Sequence, residues 1–159
     1  MPFSNLWKEN KANMLLLGTR NIATQEVATD SVVSLGQVYR RYCRKCSGVK
    51  TFDFNGTSIA LQQQGIYHIT ATITFSAPVA GDVTFQLTDN GVAIPGALAT
   101  ETITTATTEI KTTTLDYYVL VDSDCVLGQS ATEVESVSII NTGVDATITN
   151  VVVNIDKVV

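Results

Sequence analysis

Residues 65–96, GIYHITATITFSAPVAGDVTFQLTDNGVAIPG, read as two amphipathic strands joined by a hairpin-like connection. Tyr67, Ile69, Ala71, Ile73 and Phe75 fall on one side of the first strand, and His68, Thr70, Thr72 and Thr74 on the other. A period of two held over that length belongs to a half-buried antiparallel strand, because successive side chains leave a pleated strand in opposite directions. Asp82 opens a second run in which Val83, Phe85 and Leu87 alternate with Thr84, Gln86 and Thr88. Asn90-Gly91 follows, the pair best able to supply the two positive φ angles of a tight hairpin turn.

The rest of the chain agrees with an all-β fold. Eighteen threonines lie between Thr70 and Thr149, and threonine suits strands better than helix interiors. Short strands are expected at about 52–55, 58–62, 66–76, 82–89, 92–94, 109–121, 134–141 and 146–157, with a strand-rich stretch over 22–39. Asn55-Gly56, Gln64-Gly65, Ala80-Gly81, Pro95-Gly96, Gly128 and Thr142-Gly143 punctuate them. Turn signals roughly every ten residues point to a sandwich or jelly roll. Val151, Val153 and Ile155 alternate with Val152, Asn154 and Asp156, so the final strand carries apolar side chains on both faces and belongs in the middle of a sheet.

At 159 residues and 45% hydrophobic content the chain holds enough apolar surface for one sizeable core. No run approaches the ~20 apolar residues of a membrane helix, and the cluster Met14–Leu17 is too short for a signal-peptide core. Synthesis in a cytoplasm without export by the usual route, and with no membrane partner, is the expectation. Three cysteines do not make a disulfide framework.

The net charge of −5 is unevenly spread. Residues 1–50 carry eight Lys/Arg and three acids, whereas residues 51–159 carry two basic residues and twelve acids. A basic arm docking on an acidic partner, a neighbouring copy included, fits this division. Nucleic acid fits it less well, since the acidic body would repel phosphates. Residues 1–26 are assigned to an N-terminal arm, in which Ser4 is placed to cap a short helix carrying Phe3, Leu6 and Trp7. Residues 27–159 are assigned to the β domain.

The order of elements resembles a known family. Gly65-x-Tyr67-x-Ile69 opens a strand, followed by Ala80-Gly-Asp-Val83, the Asn90-Gly91 hairpin and Ile94-Pro-Gly-Ala97. A Thr-rich strand ends in Tyr117–Val121, before an acidic turn with Cys125. Val137-x-Ile139 with Asn141, then Ala146-x-Ile148-x-Asn150-Val151, close the pattern. Together these resemble the tumour-necrosis-factor-like and complement-globular-head-like jelly roll, in the bacterial and phage branch that includes exosporium heads and virion head-decoration or head-fibre proteins. The resemblance implies a two-sheet antiparallel jelly-roll sandwich that forms homotrimers, with aromatic and apolar residues of one sheet lining the three-fold axis. It contains no collagen-like stalk, in contrast to the spore-surface members.

Candidate chemistry is sparse. Cys43-x-x-Cys46 is half of a zinc site, and Cys125 with His68 would complete a Cys₃His set. Reduced, partly buried cysteines are the simpler reading, a disulfide is a third, and no metal or other cofactor is assigned. His68 is the only histidine, no Gly-x-Ser-x-Gly or phosphate loop occurs, and Asp122-Ser-Asp124 reads as a solvated turn. No enzyme is expected. Tyr117 and Tyr118 are consecutive on a strand, so one ring enters the core and the other meets solvent or a partner. Tyr39, Tyr42, Tyr117 and Tyr118 are the candidate trimer contacts.

The resulting expectation is a structural virion protein: a homotrimeric head-decoration or head-fibre protein on the outer capsid surface of a tailed phage. Phe3, Leu6, Trp7, Arg40, Arg41, Arg44 and Lys45 would attach it to the major capsid protein. The alternative is a jelly-roll module that binds host-surface glycan, as at a fibre tip or on a spore surface. Its loops over 77–82, 95–108 and 122–133 contain no aromatic residue to stack on a sugar.

Overall fold

The computed structural model describes residues 15–41, 52–121 and 135–158. Twelve strands make up these residues: β1 Leu15–Asn21, β2 Gln25–Val27, β3 Ser31–Val32, β4 Gln37–Arg41, β5 Phe52–Phe54, β6 Ser58–Leu61, β7 Gly65–Ser76, β8 Gly81–Asp89, β9 Val92–Ile103, β10 Lys111–Val121, β11 Glu135–Asn141 and β12 Ala146–Lys157. They form two antiparallel sheets. The first runs β10-β7-β12-β1-β4 with β2 added beside β12; the second runs β5-β6-β11-β8-β9 with β3 added beside β11. The last long strand, β12, lies between β7 and β1, in keeping with its two apolar faces.

The period-two face of β7 is the floor of the core. Tyr67, Ile69, Ala71, Ile73 and Phe75 are fully buried, while the intervening His68 and threonines stay half-exposed. From the opposite sheet Val83, Phe85 and Leu87 meet them, and the Phe75 and Phe85 rings cross edge to face at 5.1 Å between centroids. Each large side chain so buried contributes roughly 1.5–3 kcal/mol, which makes this interleaving the main favourable term in folding. The hairpin between β8 and β9 turns as expected: Asn90 has φ 50° and Gly91 φ 81°.

Two features depart from the sequence expectations. The sandwich takes in part of the segment assigned to the arm, because β1 is a central strand of its sheet with Leu16 and Leu17 buried, and β2 pairs with β12. Charge alone assigns this short apolar run to the arm, whereas Leu16 and Leu17 contribute to the core. Strand β9 is also much longer than 92–94 and passes straight through Pro95-Gly96. Gln86 faces Leu98 and Thr88 faces Ala93, so Leu87 opposes the four residues Ile94 to Ala97 in a wide bulge. Gln86 makes this tolerable. Its side chain is buried, and Nε2 donates toward the carbonyls of Ile94 (2.7 Å), Leu87 (2.8 Å) and Ala97 (3.1 Å). The period-two pattern placed Gln86 and Thr88 on the solvent side of β8, yet both are buried.

Candidate interaction surface

The outward face of the β10-β7-β12-β1-β4 sheet gathers the chemistry-bearing side chains. Cross-strand register sets them in rows: Leu120 beside Ile66, Tyr118 beside His68 and Asp156, Asp116 beside Thr70, Asn154 and Gly18, and Thr114 beside Thr72, Val152 and Arg20. At the β10 end the rows become apolar and aromatic. Tyr118 is 58% exposed and Leu120 60%, and Ile66 next to Leu120 is also exposed. His68 stacks on Tyr118, 4.6 Å between centroids and 18° from parallel, and its Nε2 lies 2.5 Å from Asp116 Oδ1. The histidine thus fixes the orientation of the tyrosine ring from one side, and Asp116 fixes the histidine.

At the opposite end, β1 and β4 make a polar and cationic margin. The Tyr39 ring lies flat across Gly18, where a Cβ would come within 2.6 Å of it, and the phenol donates to Asn154 Oδ1 at 2.5 Å. Only glycine at position 18 leaves room for that ring. Arg20 holds its guanidinium over the same ring, 5.8 Å from the centroid. Arg40 and Arg41 continue along β4, whose residues are all exposed.

The tyrosines divide as alternation requires: Tyr117 is half-buried against the core and Tyr118 points outward. Tyr39, a candidate for self-association, and Arg40 and Arg41, candidates for capsid attachment, turn out to be neighbours on one short strand. Ile66, Leu120 and Arg20 complete the surface without having been singled out. Parity was the available signal for two of them, since Leu120 lies two residues after Tyr118 and Ile66 two before His68. Phe3, Leu6, Trp7, Tyr42, Cys43, Arg44, Lys45, Cys46 and Cys125 lie outside the described residues. Among the described residues no group of three or more His, Cys, Asp or Glu side chains is placed to hold a metal ion, and the His68 ring contacts Asp116 and Tyr118.

Two solved structures share this arrangement of sheets. The globular domain of a zebrafish complement 1qA protein superposes with a TM-score of 0.57 at 7% identity, over 92% of this chain and 98% of that one. The Eiger tumour necrosis factor of S. frugiperda gives 0.55 at 9% identity, over 92% and 94%. The fold is a complement-head and tumour-necrosis-factor-like jelly roll. Strand pairing, not sequence, carries this likeness, because fewer than one residue in ten is shared with either. The PRD1 vertex protein P5 is a looser likeness, with a TM-score of 0.47 at 13% identity over 92% of this chain and 99% of that one. No family model matches the chain, and no curated protein sequence does.

Proposed function

We propose that the chain is a structural virion protein, a homotrimeric head-decoration or head-fibre protein of a tailed phage that works by assembly and not by catalysis. The observation that carries the assembly half is the exposed apolar and aromatic end of the outward sheet face, Ile66, Tyr118 and Leu120. Contiguous exposed side chains of this kind lose contact with water when a second surface covers them, which favours association. The ring of Tyr118, already steadied by His68, loses little conformational freedom on burial. The virion half is supported by the resemblance of the sequence to the phage branch of this fold. Arg40 and Arg41 lie at the far end of the same sheet from Tyr118 and Leu120, so attachment and self-association have separate places to act.

Light scattering after size exclusion tests the first half. The full chain should run with the mass of a trimer, and Leu120→Asp together with Tyr118→Asp should run as a monomer with unchanged strand content. A monomeric wild-type chain overturns the reading. Deletion for the attachment test should stop at residue 14, because removing residues 1–20 would excise most of β1 from the centre of its sheet. Antibody labelling of purified virions then tests the second half. Label on the outer head surface that disappears when residues 1–14 are removed supports it, and virions without label refute it.

A further inference from the structure

Beside β4 the sheet opens into a cleft of about 550 Å³ lined by Arg20, Asn21, Ser34, Gln37, Val38 and Tyr39 among others. Arg20 is held there by the Tyr39 ring. Among the described residues neither Arg20 nor Arg40 nor Arg41 has a carboxylate within ion-pairing distance, whereas Lys111 pairs with Glu109 at 3.5 Å. Elsewhere the described residues carry eleven carboxylates and only two lysines, so among the described residues this margin is the basic place. Among the described residues strand β4 ends its sheet, pairing with β1 on one side only, and all five of its residues are exposed. An end strand presents unpaired N–H and C=O groups on its free side.

We infer that β4 is a strand-addition site for an extended acidic segment of another protein, one of whose carboxylates enters the cleft and pairs with Arg20. This deepens the attachment half of the reading above, and rests on it, by naming the partner's chemistry. Backbone pairing along Gln37–Arg41 supplies register, and the three arginines supply selectivity, since an arginine fork matches a carboxylate with two parallel hydrogen bonds. Val38 and Tyr39, both partly exposed, offer apolar contact to alternate side chains of the added strand. A second copy is the weaker occupant: Ile22, Val38 and Tyr39 are exposed at this margin too, but they flank arginines that lack an ion pair among the described residues, whereas Tyr118, Leu120 and Ile66 form an apolar cluster at the other end of the sheet. A polynucleotide is weaker still, because its phosphates extend beyond this margin onto acidic surface.

The test uses the full chain and a short fluorescein-labelled peptide alternating Glu and Val, with a Lys-Val peptide as its counterpart. Saturable binding of the acidic peptide should weaken with added salt, and hydrogen exchange at the amides of residues 37–41 should slow on binding. Arg20→Ala and the double change Arg40→Ala/Arg41→Ala should each weaken binding roughly tenfold, the loss expected for a charge-assisted bond. Lys111→Ala should leave it unchanged. Equal binding of the Lys-Val peptide, unchanged binding by the arginine variants, or unaltered exchange at β4 overturns the inference. So does a change of native mass in the arginine variants, which would make the occupant a second copy, or tighter binding of a single-stranded oligonucleotide through the same arginines. If the triple arginine variant loses the peptide but still labels virion heads, this site is not the attachment point and the virion role stands. If wild type binds the peptide while virions carry no label, the site stands and the virion role falls.

Discussion

Replacing Gln86 with leucine isolates what holds the bulge between β8 and β9. Leucine keeps most of the volume and removes the amide, so packing is nearly conserved while Nε2 no longer meets the carbonyls of Ile94, Leu87 and Ala97 at 2.7, 2.8 and 3.1 Å. Ile94 and Ala97 belong to the stretch that skips the ladder. The amide has two N–H bonds to share among these carbonyls, so two donors are lost at about 1–3 kcal/mol each, about 4 kcal/mol in the middle of that range, and the added apolar contact of leucine returns about 1 kcal/mol. A net loss of about 3 kcal/mol follows, a fall in Tm of roughly 6–12 °C for a chain of this size. Urea denaturation monitored by circular dichroism reads the change. Gln86→Glu sharpens the test, because it sets a carboxylate against the same carbonyls and so raises the folded-state pKa above that of the unfolded chain. Its stability is then greatest below about pH 4, where the unfolded carboxyl is protonated, and falls as the pH rises through and above that value. A Gln86→Leu variant within about 0.5 kcal/mol of wild type, inside the range typical of surface changes, would refute the idea that this side chain holds the bulge.

Three further outcomes are expected. Gly36 has φ 77°, and a Cβ there would lie 2.1 Å from the Arg20 carbonyl oxygen. Gly36→Ala should therefore cost more than about 2 kcal/mol by thermal denaturation and expose β4 to hydrogen exchange ahead of the other strands. Tyr67 is buried, its hydroxyl donates to the Gln63 carbonyl at 2.6 Å, and burial pushes its pKa up to about 12. Tyr67→Phe should lose about 1 kcal/mol. Because the folded pKa is raised, the wild-type contribution is whole below about pH 10 and lost between there and pH 12, as an alkaline unfolding series on both proteins would show. Glu109 accepts from the backbone N–H of Thr105 and Thr104 and from the Thr104 hydroxyl, which holds its carboxyl down at about 2. Its contribution is present above about pH 4.5 and fades toward pH 2, so the 104–109 turn should loosen in acid before the sheets do, and a carboxyl titration by NMR should place Glu109 lowest among the glutamates.

Local patterns reached those parts of the fold in which neighbours in sequence decide the outcome. Alternation along β7 located the core face because every second residue of a pleated strand shares a side, and Asn90-Gly91 located a turn because its φ angles are local. Pro95-Gly96 predicts an end to β9 at 94 because turn signals act residue by residue, yet the strand continues to Ile103. What rescues the strand is Gln86, eight to eleven residues away in sequence, reaching across the bulge to bond its carbonyls. Strand β1 is not legible locally for a related reason: its pairing partners are β12, at the other end of the chain, and β4, and a run as short as Leu15–Leu17 acquires meaning only between them.

The interaction surface was legible to the extent that it follows parity. Tyr118 pointed outward because Tyr117 could not, and the same rule extends to Leu120 and, on the neighbouring strand, to Ile66. Arg20 obeys no such rule. Its significance comes from Gly18 and Gly36, two positions where the absence of a Cβ lets a ring and a backbone segment close over β1. Those glycines bring Tyr39, Arg40 and Arg41 alongside a cation separated from them by some twenty residues of chain. Charge composition announced a basic segment, but composition does not distinguish a loose arm from a strand margin. The pairing of β4 with β1 does, and it gives the cations of that margin a direction and a register.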